Sequence, residues 1–95
     1  MKYKVDYTSN FKKQYKKVKK QGKDLSKLVK VIEKLANGEE LEVKYKNHSL
    51  INDKKYIDCM ECHIEPDWLL IYQIKDEELI LLLFAIGSHS ELFRK

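Results

Sequence analysis

Two nearly continuous apolar segments, separated by only four residues, most constrain the fold of this chain. They read WLLIYQI at residues 68–74 and LILLLFAI at residues 79–86, with KDEE between them. A connection of this length predicts an antiparallel strand pair, and unbroken apolarity predicts strands covered on both faces. We therefore expect these two strands at the centre of a sheet that other elements cover.

A strand and two helices are predicted in the front half of the chain. The segment KYKVDYT (2–8) alternates as a strand does, and Ser9 is a suitable N-cap for a helix that ends near Gly22. A second helix is predicted from Asp24 to Asn37-Gly38. Because their connection is short, the helices should form an antiparallel hairpin. Its apolar stripes contain Phe11, Tyr15 and Val18 in the first helix and Leu25, Leu28, Val29, Ile32 and Leu35 in the second.

The rest of the chain predicts a loop, one more strand and a short terminal helix. Residues 39–53 have no clear period, KYIDCMECHI (55–64) predicts a strand, and SHSELF predicts a helical turn capped by Ser88 or Ser90. Ninety-five residues predict one domain, residues 1–95. The predicted fold class is α+β: a small sandwich with an N-terminal strand, an antiparallel helix hairpin, three antiparallel strands and a short C-terminal helical turn.

The charge of the chain is unevenly distributed. Residues 1–46 hold 14 lysines and 6 acids, a net charge of +8, whereas residues 47–95 hold 5 basic residues and 9 acids, a net charge of −4. A basic front half favours a polyanion or an acidic protein as partner; the alternative is a solvated helix face. The first helix contributes six of the lysines: Lys12, Lys13, Lys16, Lys17, Lys19 and Lys20.

Neither the cysteines nor the apolar segments point to a redox centre or a membrane. Cys59 and Cys62 have the C-x-x-C spacing of a redox pair or half a zinc site, but the helix start or second C-x-x-C that such sites use is missing. Two small apolar residues of a strand are the favoured interpretation. No apolar run reaches the length of a membrane span, and MKYKVDYTSN lacks a signal-peptide pattern. We expect a cytoplasmic protein without a membrane partner.

Three histidines and two carboxylates can meet on one side of the predicted sheet. In strand 55–64, strand parity directs Glu61 and His63 away from the core. The strand order and the short turns bring the others to the same patch, so that its members are His48, Glu61, His63, Asp67 and His89. Such a set suits acid–base chemistry, including RNA cleavage by internal attack of a 2′-hydroxyl, which requires no metal. A three-histidine metal site with a carboxylate and three unrelated surface histidines are the alternatives.

Aromatic residues near this patch allow two interpretations. Trp68, Tyr45 and Phe93 either pack in the core or form a rim on which RNA bases stack.

Three segments of the chain resemble the signature blocks of YafQ-type toxins in the RelE/ParE superfamily. They are KNHSL (46–50), ECHIEPDWLLIY (61–72) and GSHSELF (87–93). The combination of H-x-x-PDW-x-L-x-Y with G-S/T-H-x-x-LF is specific, and the N-terminal strand and helix pair also fit. The resemblance implies a small mixed sheet on a helical hairpin. It also implies the toxin half of a bacterial type II toxin–antitoxin pair, an endoribonuclease that cleaves messenger RNA in the ribosome without a cofactor.

The resemblance also implies roles and partners. His89 matches the general acid, whereas His48, His63 and Asp67 match residues that handle or orient the attacking hydroxyl, and Glu61 stands where the family often has an acid. The implied partners are a cognate antitoxin, with a heterotetramer as one arrangement, and the ribosome with messenger and ribosomal RNA. The residues expected to contact RNA are the six lysines of the first helix together with Lys54, Lys55, Trp68 and Phe93.

One position departs from the family pattern. Ala85 stands two residues before Gly87, where the family usually has an arginine that would stabilise the charged phosphate. We therefore expect reduced nuclease activity, with Lys54 or Lys55 as substitute cations if activity is retained. The alternative functions are a decayed toxin that only binds its antitoxin and a ParE-like gyrase inhibitor.

Overall fold

The computed structural model describes residues 1–93, which form a five-stranded mixed sheet with a helical hairpin on one face. In chain order the elements are β1 (Lys4–Tyr7), α1 (Ser9–Lys20), α2 (Leu25–Ala36), a 3-10 turn (Val43–Tyr45), β2 (His48–Ser49), β3 (Met60–Glu65), β4 (Trp68–Lys75), β5 (Ile80–Gly87) and α3 (His89–Phe93). The strand order is β1-β5-β4-β3-β2, and β1 runs parallel to β5 while the other pairs are antiparallel. The predicted fold class is confirmed.

The helical hairpin covers one face of the sheet and forms the main core. The buried residues of the hairpin pack against the inward-facing residues of the strands. The central strands β4 and β5 are buried on both faces, as expected. One position of the predicted α2 stripe is wrong, because the side chain of Val29 is 50% exposed while Val31 and Ala36 are buried instead. The inward face of α2 is thus rotated slightly from the predicted stripe.

The first helix begins with a different cap from the one predicted. Thr8, rather than Ser9, is the extended N-cap residue, and its hydroxyl accepts a hydrogen bond from the backbone N–H of Phe11. The same hydroxyl donates to the carbonyl of Phe84 in β5. This second contact ties the start of α1 to the sheet, which explains why Thr8 takes the capping position. The second helix begins next to Asp24 as predicted, and Asp24 is its N-cap, accepting a hydrogen bond from the backbone N–H of Ser26.

The segment before β3 was only partly predicted. The strand expected at residues 55–64 begins at Met60, because Asp53 accepts hydrogen bonds from the backbone N–H groups of Lys55 and Tyr56 and holds this part in a turn. The loop expected at residues 39–53 contains the 3-10 turn and also β2, which pairs with β3.

A second, smaller apolar cluster covers the other face of the sheet. Its buried members come from the turn before β3, from β4 and β5, and from α3: Tyr56, Cys59, Leu69, Ile71, Ala85 and Leu92. α3 and residues 50–59 cover the centre of this face, so β4 and β5 are covered on both faces, as their apolar runs predict.

The two cysteines lie on opposite sides of the sheet. Cys62 belongs to the main core and Cys59 to the second cluster, so the pair does not form a redox site. Burial raises the pKa of the Cys59 thiol and raises that of Cys62 to about 12, which disfavours the reactive thiolate form of both. No helix within residues 1–93 is long and apolar enough to cross a membrane.

Candidate functional site

A buried carboxylate lies between two histidines where β2 pairs with β3. Glu61 is 5% exposed, and its Oε1 lies 3.5 Å from Nε2 of His48 and 3.2 Å from Nε2 of His63. His48 is directly opposite Glu61 in the strand register. Strand parity predicted the face on which Glu61 and His63 lie, but not the burial of Glu61. These three residues are called the triad below.

The outer nitrogens of both histidines face carbonyl oxygens. Nδ1 of His48 is 2.7 Å from the oxygen of Lys46, and Nδ1 of His63 is 3.2 Å from the oxygen of Pro66. Because a carbonyl only accepts, each Nδ1 carries a hydrogen, and each Nε2 faces the carboxylate of Glu61. Two neutral rings would then direct both lone pairs at one carboxylate oxygen. The two rings therefore converge on one atom, Oε1 of Glu61, at 3.5 and 3.2 Å.

A second group of residues lies at the start of α3. Oδ1 of Asp67 accepts a hydrogen bond of 2.9 Å from the backbone N–H of His89. The exposed ring of His89 lies beside Phe93, with ring centroids 5.0 Å apart. In this structure Asp67 thus holds the backbone that carries His89, rather than an imidazole ring.

The triad lies at the same end of the sheet as Asp67, His89 and Phe93, which are called the His89 group. His63 pairs with Leu69, and Leu69 pairs with Gly87, two residues before His89. Since neighbouring strands are about 4.8 Å apart, this row of three spans roughly 10 Å. The triad and the His89 group therefore lie on either side of the buried Leu69, about two strand spacings apart.

Several contacts fix α3 against the sheet. Ser88 caps the helix, since its hydroxyl accepts from the backbone N–H of Glu91, and Glu91 in turn accepts from the backbone N–H of Ser88. Lys17 of α1 bonds to Glu91 and, with that backbone bond, lowers the pKa of the Glu91 carboxyl to about 2. The hydroxyl of Tyr56 donates a hydrogen bond of 2.7 Å to the carbonyl of Leu92. The position of His89 is thus set by contacts with three other parts of the fold.

Ala85 lies on the same sheet face as the triad because of a β-bulge. Opposite Ile71 and Tyr72, the β5 partners are Ala85 and Leu83, so Phe84 is an extra residue. In a regular strand Ala85 would point to the same face as Leu83, which packs against the helical hairpin. The extra residue Phe84 turns Ala85 to the other face, where it joins the second cluster. Ile71 also pairs with Glu61 of the triad, so Ala85 stands two strands from the buried carboxylate. It is 2% exposed.

The aromatic residues expected at the rim have different positions. Trp68 is 1% exposed in the main core, so the prediction that it contacts RNA is wrong: packing on the helices leaves no free ring face. Phe93 is partly exposed between His89 and Tyr56 and stays a candidate for stacking. Tyr45 packs partly against the main core.

The predicted lysines lie mostly away from the triad. All six lysines of α1 are exposed, and Lys17 bonds to Glu91. Lys54 and Lys55 are exposed in the turn before Tyr56, and Nζ of Lys55 lies 5.3 Å from the centroid of the Tyr56 ring. A set of lysines that sequence reasoning missed lines a cavity with His63, because α2 and the 3-10 turn are brought together only by the fold: Lys27, Lys30, Lys44 and Lys46.

The alternative of a three-histidine metal site is not formed. Within residues 1–93, no group of three or more histidines, cysteines or carboxylates is arranged to hold a metal ion. His48 and His63 meet at Glu61, whereas His89 belongs to the group at α3.

Similar proteins are known in sequence. A family model described as "Bacterial toxin of type II toxin-antitoxin system, YafQ" matches residues 3–94. Two curated relatives, both named "mRNA interferase toxin YafQ", come from Escherichia coli strains B / BL21-DE3 and K12. They are 36% and 35% identical over 91 residues, which is 94% of this chain and 94% of each relative. The resemblance inferred from the sequence motifs is confirmed.

Similar proteins are also known in structure. A metal-bound toxin from Helicobacter pylori is 44% identical, with a TM-score of 0.88 over 96% of this chain and 99% of that chain. The toxin structure from the E. coli DinJ-YafQ complex is 33% identical, with a TM-score of 0.85 over 96% of this chain and 98% of that chain.

Proposed function

Because the chain belongs to the YafQ family of type II toxin–antitoxin toxins, we propose that it is a ribosome-dependent endoribonuclease that cleaves messenger RNA in the cytoplasm. The observation that carries this proposal is the placement of the triad and His89 on either side of Leu69. Cleavage of an RNA strand needs one group that removes a proton and another that donates one, and the triad and His89 are the candidates for these two roles.

The proposed reaction is internal attack of the ribose 2′-hydroxyl on the neighbouring phosphorus. One of the two histidines, His48 or His63, takes up the hydroxyl proton, with Glu61 stabilising the positive charge that this creates. His89 gives a proton to the leaving 5′-oxygen, so that the products are a 2′,3′-cyclic phosphate and a free 5′-hydroxyl. Asp67 keeps His89 in place through its backbone. Since these steps need only proton transfer and charge stabilisation, no metal or cofactor is assigned.

Primer extension tests this proposal. A messenger RNA is incubated with the protein in the presence and in the absence of ribosomes, and the cuts are mapped. We expect cuts only in the ribosome-bound messenger. Equal cutting of free RNA would contradict the ribosome requirement, and no cutting by this chain or by its Ala85→Arg variant would favour the non-catalytic alternative.

Ala85 is the observation that favours that alternative, a toxin that retains antitoxin binding only. The histidine set argues against a ParE-like gyrase inhibitor.

The lysines of α1 are proposed to contact ribosomal RNA. Changing Lys12, Lys13, Lys16 and Lys20 to glutamine should weaken binding to ribosomes and flatten its salt dependence, because each lost phosphate contact reduces the logarithmic salt slope by about 0.9. Lys17 is left unchanged since it bonds to Glu91. The control removes four lysines outside α1: Lys2, Lys4, Lys34 and Lys75. Equal salt slopes for the two variants would show that α1 is only a solvated face.

An acidic antitoxin is the second proposed partner, and its expected contact is a groove beside α1. Tyr7, Phe11 and Tyr15 form a row of rings with centroids 6.3 and 6.2 Å apart, and Tyr7 is 53% exposed. Three lysines on one face of α1 line the same groove: Lys12, Lys16 and Lys19. An apolar floor with a basic border is complementary to an amphipathic helix with acidic flanks. Such a helix would also cover the lysines proposed for the ribosome.

Matched charge reversals on α1 test this contact. Lys12→Glu/Lys19→Glu changes the border of the groove, whereas Lys13→Glu/Lys20→Glu makes the same change on another face of the helix. The first variant should lose co-purification with the product of the adjacent gene, and the second should keep it. Size measurement of the unchanged complex would show whether it is a heterotetramer. Equal retention of the partner by both variants would exclude this groove as its site.

A further inference from the structure

We propose that the cavity between α2, the 3-10 turn and the β3–β4 turn binds the phosphate backbone of the substrate RNA strand. The cavity has a volume of about 460 Å³, and four lysines line it together with Tyr45, His63, Ile64, Glu65 and Pro66. It is called the lysine cleft below, and its lysines are Lys27, Lys30, Lys44 and Lys46. The inference rests on the proposed nuclease function, because His63 belongs to both the cleft and the triad.

The lysine cleft has an excess of positive charge. Among its lining residues are four lysines and one acid, Glu65, which gives a net charge of +3 (4 − 1) with His63 neutral. Glu65 is already bonded to Lys27 at 2.8 Å and lies 3.7 Å from Lys23, and the hydrogen bond from Lys27 lowers the pKa of its carboxyl. Glu65 is therefore occupied and cannot neutralise the other lysines of the cleft.

Two lysines of the cleft are the most available for a ligand. Within residues 1–93, neither Lys30 nor Lys46 has a carboxylate within 4 Å. Like charges gathered in one concave surface repel one another and raise the local positive potential. A phosphodiester chain relieves that repulsion, since lysine ammonium groups bind phosphate oxygens as mobile point charges. The charge pattern thus fits an RNA backbone better than a neutral ligand.

The geometry connects the cleft directly to the reacting groups. His63 forms part of its wall, and the Pro66 carbonyl that faces Nδ1 of His63 belongs to another lining residue. Lys46 has a left-handed conformation, with φ 47°, in which its carbonyl accepts from His48 while its side chain lines the cleft. If the scissile phosphate of the RNA lies between His63 and His89, the RNA chain would continue past His63 into the cleft. The cleft lies on the side of β3 away from His89.

Tyr45 gives the cleft a surface for a base. Its ring is partly buried against the main core, and Nζ of Lys44 lies 5.2 Å from the ring centroid. Base stacking on an aromatic ring beside cations is a common feature of sites for single-stranded nucleic acid. The lysine cleft therefore combines phosphate contacts with one stacking position.

Salt-dependent RNA binding tests the proposal separately from catalysis. The probe is a fluorescent single-stranded RNA oligonucleotide whose 2′-hydroxyls at the cleavage position are replaced by hydrogen, so that it cannot be cut. Lys30→Gln/Lys46→Gln should reduce the slope of log K against log salt by about 1.4, because each lost phosphate contact accounts for roughly 0.7 on a single strand. Lys4→Gln/Lys75→Gln removes the same charge from the row that pairs with Ile80, at the opposite end of β4 from the cleft, and should leave the slope nearly unchanged.

Further measurements separate the possible outcomes. Lys30→Gln/Lys44→Gln, which leaves the left-handed Lys46 intact, should also reduce the slope, and equal melting temperatures would show that the fold is retained. His89→Ala removes the proposed general acid but no lysine of the cleft, so it should bind the oligonucleotide with the normal slope. The binding result therefore does not depend on whether the chain cleaves RNA. Unchanged slopes in both cleft variants would overturn the proposal. If the same variants also bound empty ribosomes less tightly, the cleft would contact ribosomal RNA. The proposal that it binds the substrate strand would still be overturned.

Discussion

Replacing Ala85 by arginine should raise the cleavage of ribosome-bound messenger RNA by about 100- to 1,000-fold, the usual effect of one group that stabilises developing charge. Internal attack places additional negative charge on the phosphate oxygens. An arginine fork stabilises that charge with two aligned donors, and alanine supplies none. Induction of Ala85→Arg should arrest growth, whereas induction of the unchanged chain should have a weak effect. Primer extension gives the ratio of the two cleavage rates.

The structure gives this arginine a route to the reacting groups. Ala85, Ile71 and Glu61 form one row across three strands, so the triad carboxylate is roughly 10 Å from position 85. A side chain that extends over Ile71 would bring its guanidinium beside Glu61, on the side that faces His89. Because Ala85 and Ile71 are both buried in the second cluster, an arginine that reaches Glu61 has to displace part of that cluster. Some loss of thermal stability is therefore expected with the gain in activity.

Ala85→Gln is the matched control, because glutamine adds a long polar side chain without a charge. It should perturb the second cluster in a similar way and leave cleavage low. Activation by glutamine as strong as that by arginine would show that the effect comes from packing. Equal and strong cleavage by the unchanged chain and by Ala85→Arg would show that another cation already serves the phosphate. Lys54 and Lys55 would then be the first candidates, since they lie in the turn before Tyr56, which belongs to the same cluster as Ala85.

The sequence predicted those features that depend on local periodicity. The long apolar runs of β4 and β5 and the stripe of α1 each follow from side-chain alternation, and they are found as expected. Parity within β3 also placed Glu61 and His63 on the correct face. Such features need only the residues of one element, so a single sequence contains the information.

Features that depend on contacts between distant elements were not predicted. The bulge at Phe84 changes the face of Ala85, and it is defined by pairing with β4. Glu61 becomes buried because β2 pairs with β3 and places His48 over it. The lysine cleft exists only because α2 and the 3-10 turn meet beside β3. In each case the deciding partner belongs to another element and leaves no periodic signal.

Replacing His89 by alanine in the Ala85→Arg background should lower the cleavage rate by about 100- to 10,000-fold, the range for loss of a general acid or base. The more active background is needed so that a loss of this size can be measured. His89→Gln retains hydrogen bonding but cannot donate a proton near neutral pH, and it should be nearly as inactive as alanine. The rate is measured by primer extension at saturating ribosome concentration.

The contacts of α3 make this substitution a clean test of chemistry. Asp67 bonds to the backbone N–H of residue 89, and the cap by Ser88 and the bond from Tyr56 to Leu92 do not involve the imidazole. The helix should therefore remain docked, and ribosome binding by His89→Ala should be unchanged. Asp67→Asn, which keeps an oxygen acceptor for the same N–H, should lower the rate much less. If His89→Ala instead lost less than about tenfold, below the range for a general acid, the leaving oxygen would have to be protonated from the triad, with His63 as the nearest histidine along the strand row.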